Sequence, residues 1–276
     1  MNKPKILIFD FDGTLTTDTW PKFWVWVKKF GYNGNFRNKE LEKAISDYRE
    51  IHQDEDAWQT FFGFFNDLLI SSKESLSMQE LLEGGQFIEY NPGAELFLQY
   101  AKSNPNIKTY ILSSGLKEFL QGLGVSQYFD RIYGSSVIFD DNKRITGIDM
   151  NNIMSDKKKT QAIQNILAEN DMIENDCSNV IYVGDGDSDG PSMKFVHENG
   201  GKCIFVYQPA QRENVTSVIQ KMYGHYDSEG TVDFTYEADY RPGSSLRNKF
   251  EELIEDYPRS FDNRSKLDDI YDGRKN

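Results

Sequence analysis

Short apolar runs without polar alternation recur along the chain, and the first three end in acids or hydroxyls with glycine. Lys5 to Asp10 reads KILIFD, Thr109 to Leu112 reads TYIL, Val180 to Val183 reads VIYV and Cys203 to Val206 reads CIFV. Such runs predict strands buried on both faces, as in a parallel sheet. A weaker run covers Arg131 to Phe139. Helical spacing is found between them, over Ala94 to Lys102, Leu116 to Leu123, Lys157 to Glu169, Ser192 to Glu198 and Arg212 to Met222. Strands alternating with helices predict an α/β fold, a Rossmann-like parallel sheet wound on both sides.

One stretch interrupts the alternation. Trp20, Phe23, Trp24, Val27 and Phe30 recur at spacings of three and four, and so do Trp58, Phe61, Phe62, Phe65 and Leu68. That period is helical. Asn91-Pro92-Gly93 is a turn signal that punctuates the return to the strand–helix pattern. An insertion of about seventy residues far exceeds an ordinary connection and predicts a small second domain. The expected division is a core of residues 1–16 and 86–276 and a helical insertion of residues 17–85. Asp140 to Lys143, set between VIF and IT, predicts a β-hairpin turn. The tail from Asn263 is polar and mixed in charge, as in a frayed end or a short docked helix.

Of the 276 residues, 38% are hydrophobic, enough for a sizeable core. The formal net charge of -13 argues against nucleic acid and anionic lipid as partners. It also repels a phosphorylated substrate, so a phosphate site needs its own positive charge, from a metal ion or a buried lysine. Cys177 and Cys203 are the two cysteines, too few and too far apart for a disulfide framework or a CxxC metal site. The opening apolar run is too short for an export signal, and no stretch has the apolar length to span a bilayer. The expectation is a reducing, cytoplasmic setting without membrane contact; no sequence feature sets an oligomeric state.

In open α/β sheets, ligands bind beyond the carboxyl ends of the strands. The first run ends in Asp10-Phe11-Asp12-Gly13-Thr14, the second in Ser113-Ser114-Gly115, and the third in Gly184-Asp185-Gly186-Asp187-Ser188-Asp189-Gly190. If these strands are neighbours, Asp10, Asp12, Asp185 and Asp189 converge. Clustered carboxylates need a cation to stay ionised together, and oxygen ligands suit Mg²⁺, which also grips phosphate. One carboxylate can be a nucleophile and a second, two residues on, a general acid and base. Ser113 and a nearby lysine can donate to phosphoryl oxygens. Gly13 and Gly115 let backbone amides approach. Asp187 reads as a solvated loop acid, and His52, His197 and His225 show no ligand spacing. A calcium loop is the rival for Asp185-x-Asp187-x-Asp189, but it requires a preceding helix and a Glu where Val196 stands.

DFDGT (Asp10 to Thr14), ILSSG (Ile111 to Gly115), Lys157-Lys158-Lys159-Thr160 before a helix and VGDGDSD (Val183 to Asp189) occur together in this order. In this the chain resembles the haloacid dehalogenase superfamily, with its helical insertion similar to that family's cap and its hairpin and GDGxxD closest to the phosphoserine phosphatase branch. The resemblance implies that Asp10 is nucleophile and Mg²⁺ ligand, and that Asp12 is general acid and base with its carbonyl on the ion. It assigns phosphate to Ser113, Ser114, Gly115 and one lysine, Lys159 in preference to Lys158. It gives Asp185 to Mg²⁺, and Asp189 to the ion or its water. Two positions depart from the branch: Thr19, beside Asp18, stands where a Glu is usual, and Ser188 where an Asn is usual. They leave phosphoserine unassigned as substrate.

The expected reaction is Mg²⁺-dependent hydrolysis of a small phosphorylated metabolite through an aspartyl-phosphate. The rivals are a phosphotransferase or phosphomutase using the same intermediate, and a non-catalytic cation-binding protein. Within the insertion, Trp20, Trp24 and Trp58 could frame a quaternary ammonium group, while Arg37 and Arg49 could meet an acidic one.

Overall fold

The computed structural model describes residues 3–17, 29, 39–52, 57–73, 75–226 and 229–255. Trp20, Phe23, Trp24, Val27, Phe30, Asp18, Thr19, Arg37 and the tail from Asn263, all singled out above, lie outside the described residues.

β1 (Lys5–Phe9) is followed by α1 (Lys39–Ile51), α2 (Ala57–Ser72) and α3 (Met78–Leu82) of the insertion, then by α4 (Ala94–Ser103) and β2 (Ile107–Leu116). Next come α5 (Lys117–Gln121), β3 (Arg131–Ser135), β4 (Val137–Phe139), β5 (Ile145–Ile148) and α6 (Asp156–Glu169). The chain continues through β6 (Val180–Gly184), α7 (Gly190–Glu198), β7 (Lys202–Tyr207), α8 (Val215–Tyr226), β8 (Phe234–Glu237) and α9 (Ser245–Glu255).

Six strands form one sheet in the order β3-β2-β1-β6-β7-β8, with every neighbouring pair parallel. β1 is central, and the pleat explains its composition. Leu7 and Phe9 pack on one face, in a core shared with Phe97 of α4 and Phe250 of α9. Ile6 and Ile8 pack on the other, with Ile163 and Ile166 of α6 and Met193 of α7. A strand covered on both faces has no position for a polar side chain, hence the unbroken apolar run. Each large side chain buried here stabilises the fold by about 1.5–3 kcal/mol.

The run expected as one strand over Arg131 to Phe139 is two. β3 belongs to the large sheet, while β4 turns away at Ser136 and pairs antiparallel with β5. The intervening turn is the expected one, closed by Lys143 N–H on the Asp140 carbonyl at 2.9 Å. Two other expectations shift in extent: α5 stops at Gln121, and α8 begins at Val215 after a 3-10 turn over Pro209–Asn214.

In the insertion, Phe61, Phe62, Phe65 and Leu69 of α2 are buried together. Trp58 stands edge-on to Phe61 with ring centroids 5.9 Å apart. Arg49 lies over the Phe61 ring at 5.8 Å. α3 begins with a capping box: Ser77 Oγ accepts from the Glu80 amide at 3.1 Å, and Glu80 Oε2 accepts from the Ser77 amide at 2.7 Å. The insertion meets the β4–β5 hairpin through paired backbone bonds between Leu76 and Ile145. The Ile148 amide also donates to Asn66 Oδ1 at 2.8 Å. Both cysteines are buried and free, and burial pushes the Cys177 thiol up to about 12.

Candidate active site

Because β1 pairs with β2 on one side and β6 on the other, all parallel, the three acid- and hydroxyl-bearing strand ends meet at one edge. The Asp10 amide donates to the Val183 carbonyl at 2.9 Å, extending β1 one residue along β6. The chain then turns at Gly13, whose φ of +80° is left-handed; a Cβ there would lie 2.0 Å from Asp185 Oδ2. Glycine is therefore required twice over, by conformation and by the approach of Asp185. Thr14 Oγ1 donates to Asp185 Oδ1 at 3.3 Å, joining the first strand end to the third.

Lys159, in the first turn of α6, is 1% exposed. Its ammonium donates to Asp10 Oδ1 at 3.2 Å and to Asp189 Oδ1 at 3.0 Å. Its neighbours point elsewhere: Lys157 is exposed, and Lys158 Nζ donates to the Asn151 carbonyl at 2.6 Å.

Asp189 is fully buried. Besides Lys159, its Oδ1 accepts from the Tyr182 hydroxyl at 2.7 Å. Its Oδ2 accepts from the amides of Asp185 and Gly186, each at 3.2 Å. Tyr182 was missed in the sequence, although a tyrosine inside a buried run needs a partner for its hydroxyl.

Ser113 Oγ accepts from the Gly115 amide at 3.0 Å, which leaves its O–H able to donate. Ser114 is also buried; its carbonyl accepts from Ser135 Oγ at 2.8 Å. Among the described residues its hydroxyl has no hydrogen-bond partner. Asp12 is partly exposed, and its charge reaches both Asp10 and Asp185.

The electrostatics follow from three acids around one lysine. Burial, then the charges of Asp189 and Asp12, push Asp10 up to about 7 against the pull of Lys159. Asp185 keeps some exposed surface, yet burial of its carboxyl and the charges of Asp10 and Asp189 hold it well above the usual carboxylate range. Burial works against the Lys159 ammonium, but Asp10 and Asp189 outweigh it and keep the group protonated.

The donor set fits a hard cation. Asp10, Asp185 and Asp189 each offer a carboxylate oxygen within 4.8 Å of the other two. Ionised together with Lys159, they leave two negative charges uncompensated, the deficit a divalent ion would fill. Oxygen-only ligands suit Mg²⁺.

Asp187, expected to be a solvated acid, instead meets His225 Nδ1 at 3.0 Å and Lys221 Nζ at 3.6 Å, both on α8. The calcium-loop rival fails because a strand, β6, precedes the loop where a helix is needed.

Solved structures of the same fold include a haloacid dehalogenase family hydrolase from Salmonella enterica serovar Typhi, with 23% identity and a TM-score of 0.54. The match covers 77% of this chain and 66% of that one. A substrate-bound phosphoserine phosphatase aligns with 16% identity and a TM-score of 0.58, over 91% of this chain and 99% of that one. The magnesium-bound hydrolase YfnB of Bacillus subtilis aligns at 12% identity and a TM-score of 0.50, over 92% and 100%. No curated protein sequence matches. The haloacid dehalogenase-like hydrolase family matches residues 7–194, more than half of the chain and all four sequence motifs, and the protein belongs to that family.

Proposed function

We propose that this protein is a phosphatase that hydrolyses a small phosphomonoester with Mg²⁺ through an aspartyl-phosphate on Asp10. The observation that carries the reading is Lys159, buried and shared between Asp10 and Asp189, with Asp185 completing the acid cluster. The fold shared with phosphoserine phosphatases supports the same reaction class.

Mg²⁺ would be held by Asp10, Asp185 and the Asp12 carbonyl, and would supply charge neutralisation and orientation of the phosphoryl group. Asp189, a member of the same acid cluster, would ligate the ion or orient its water, while its two oxygens also hold Lys159, Tyr182 and the Asp185 loop through four hydrogen bonds. In the first step an Asp10 oxygen bonds to phosphorus, the ester P–O bond breaks, and Asp12 gives its proton to the departing oxygen. Lys159, the Ser113 hydroxyl and the backbone amides of Ser114 and Gly115 bind the phosphoryl oxygens as charge shifts onto them. In the second step Asp12 takes a proton from water, whose oxygen attacks phosphorus and releases phosphate and Asp10. The helical insertion, taken as residues 17–85, serves as a cap that excludes bulk water and limits substrate size.

The test is phosphate release from a panel of small phosphomonoesters, with Mg²⁺ or with chelator, by the wild type and Asp10→Asn. Turnover should require Mg²⁺ and fall by at least about 10³-fold in the variant, the scale on which losing a nucleophile acts. A folded wild type that releases no phosphate from any panel member would overturn the reading. Phosphate gained by an added acceptor at the expense of release would replace it with phosphoryl transfer.

A further inference from the structure

The residues following the family match carry two side chains aimed at the catalytic loop. Gln208 stands immediately beyond β7, and Tyr240 three residues beyond β8. Parallel pairing of β6, β7 and β8 brings both strand ends to the edge where Asp10 lies. Gln208 Nε2 donates to the Gly13 carbonyl at 2.9 Å and to Asn91 Oδ1 at 2.9 Å. Asn91 Nδ2 in turn donates to the Thr14 carbonyl at 2.8 Å. The Tyr240 hydroxyl donates to that same carbonyl at 3.0 Å.

Tyr240 is fully buried, its ring against Phe97 at 5.7 Å and Phe250 at 6.1 Å. Its amide donates to the Pro92 carbonyl at 2.7 Å. The backbone there passes so close to Gly93 that a Cβ on that glycine would lie 2.6 Å from the Arg241 nitrogen. Three segments distant in sequence thus converge on the carbonyls of Gly13 and Thr14, directly after Asp12.

We infer that Gln208 and Tyr240 are positioning residues: with Asn91 they clamp the Gly13–Thr14 backbone and thereby set the geometry of Asp12 and of the Thr14–Asp185 contact. A loop turning at a left-handed glycine has few interactions of its own to fix it, and donors on its carbonyls supply them. The clamp ties Gln208 and Tyr240, both after residue 194, to the catalytic loop through its backbone carbonyls. Its kinetic consequence rests on the phosphatase reading above.

The test compares wild type with Tyr240→Phe, Gln208→Met and the double variant, each of which removes a donor at nearly constant volume. Phe250→Leu serves as the packing control, since it loosens the same aromatic cluster without removing a donor. Steady-state kinetics on a phosphomonoester hydrolysed by the wild type should show kcat, or the Mg²⁺ concentration needed for half-activation, worsened by about tenfold in the double variant, as for groups that orient ligands from behind. KM should stay within about twofold. Phe250→Leu should lower Tm with kcat retained. Amide hydrogen exchange over residues 11–16 should speed up in the double variant and not in the control. This second readout needs no turnover, so a wild type without phosphatase activity would overturn the phosphatase reading and still leave the clamp measurable. Unchanged exchange over 11–16, or a lowered Tm with unchanged kcat and Mg²⁺ requirement, would overturn the inference.

Discussion

Asp10 and Glu80 both sit beside cations at nearly the same distance, and they are driven in opposite directions. Asp10 lies 3.2 Å from Lys159 and is pushed up to about 7. Glu80 lies 3.3 Å from Lys29 and 3.4 Å from Arg144, where the insertion meets the hairpin, and is brought down to about 2. Proximity to positive charge therefore does not decide the outcome. At Asp10 burial is the largest influence, and two further acids share the lysine. At Glu80 the largest influence is the Ser77 amide, a donor fixed in place by the start of α3, and the side chain keeps about a third of its surface in contact with solvent. One carboxyl is built to stay ionised and hold two parts of the fold together. The other is held in a state that a divalent cation would change.

Removing the shared cation from the acid pocket should have the largest effect. Lys159→Met leaves Asp10 and Asp189 buried without their common partner, a change that costs about 3–5 kcal/mol for a broken buried pair. At about 2–4 °C per kcal/mol for a chain this size, differential scanning calorimetry should show Tm falling by roughly 10 °C. The drop should be larger at pH 8 than at pH 5, where the carboxyls can protonate. Phosphatase turnover should fall by about 10²–10³-fold, the scale of a lost donor to developing charge.

The pH dependence of the metal-free protein is next in size. Asp10 has an ordinary value of 3.8 and is raised to about 7 in the fold. Between those values the folded state holds a proton that the unfolded state has lost, so stability falls as pH rises through the window and levels off above it. Tm measured from pH 4 to 8 in chelator should carry this downward component, identified by its absence in Asp10→Asn. With Mg²⁺ present it should disappear, because the ion favours the ionised form.

Ser77→Ala should be the mildest. Losing the cap hydroxyl costs about 1 kcal/mol and should lower Tm by about 2–4 °C. Glu80 should rise only part of the way from about 2, because the Ser77 amide, its strongest partner, remains. Carboxyl titration by NMR reads this directly, and turnover should be unaffected.

The sheet was legible because β1, β6 and β7 are buried on both faces and so contain unbroken apolar runs, two of which, β1 and β6, end abruptly in Asp10 and in Gly184-Asp185. Asp10, Ser113 and Asp185 could be placed at one edge from those endings alone. Among three adjacent lysines, charge pattern offers no distinction; the helix-start pattern of the resembled family favours Lys159, and the start of α6 at Asp156 puts that lysine among the buried residues of the helix. Asn91 stood out only as part of a turn, and Gln208 and Tyr240 left no signal, since a backbone carbonyl accepts from any donor and imposes no motif on the residue that reaches it. The Ser77–Glu80 box did carry a sequence signature, but its apolar helix is only five residues long, too short for periodicity to mark it. Asp187 looked solvated because its partners, Lys221 and His225, lie more than thirty residues away.

The central place of β1 has a consequence for synthesis. The strand leaves the ribosome well before its two neighbours, β2 and β6, which begin only at Ile107 and Val180. At about 5–20 residues per second, the nascent chain carries KILIF with both edges unpaired for roughly 5–20 seconds before β2 can arrive, and for longer before β6. An apolar, β-prone segment, here Ile6 to Phe9, is the kind that associates with other chains. The arrangement that puts Asp10 at the middle of the sheet thus makes its strand dependent, while the chain is still growing, on whatever shields it until the rest has been translated.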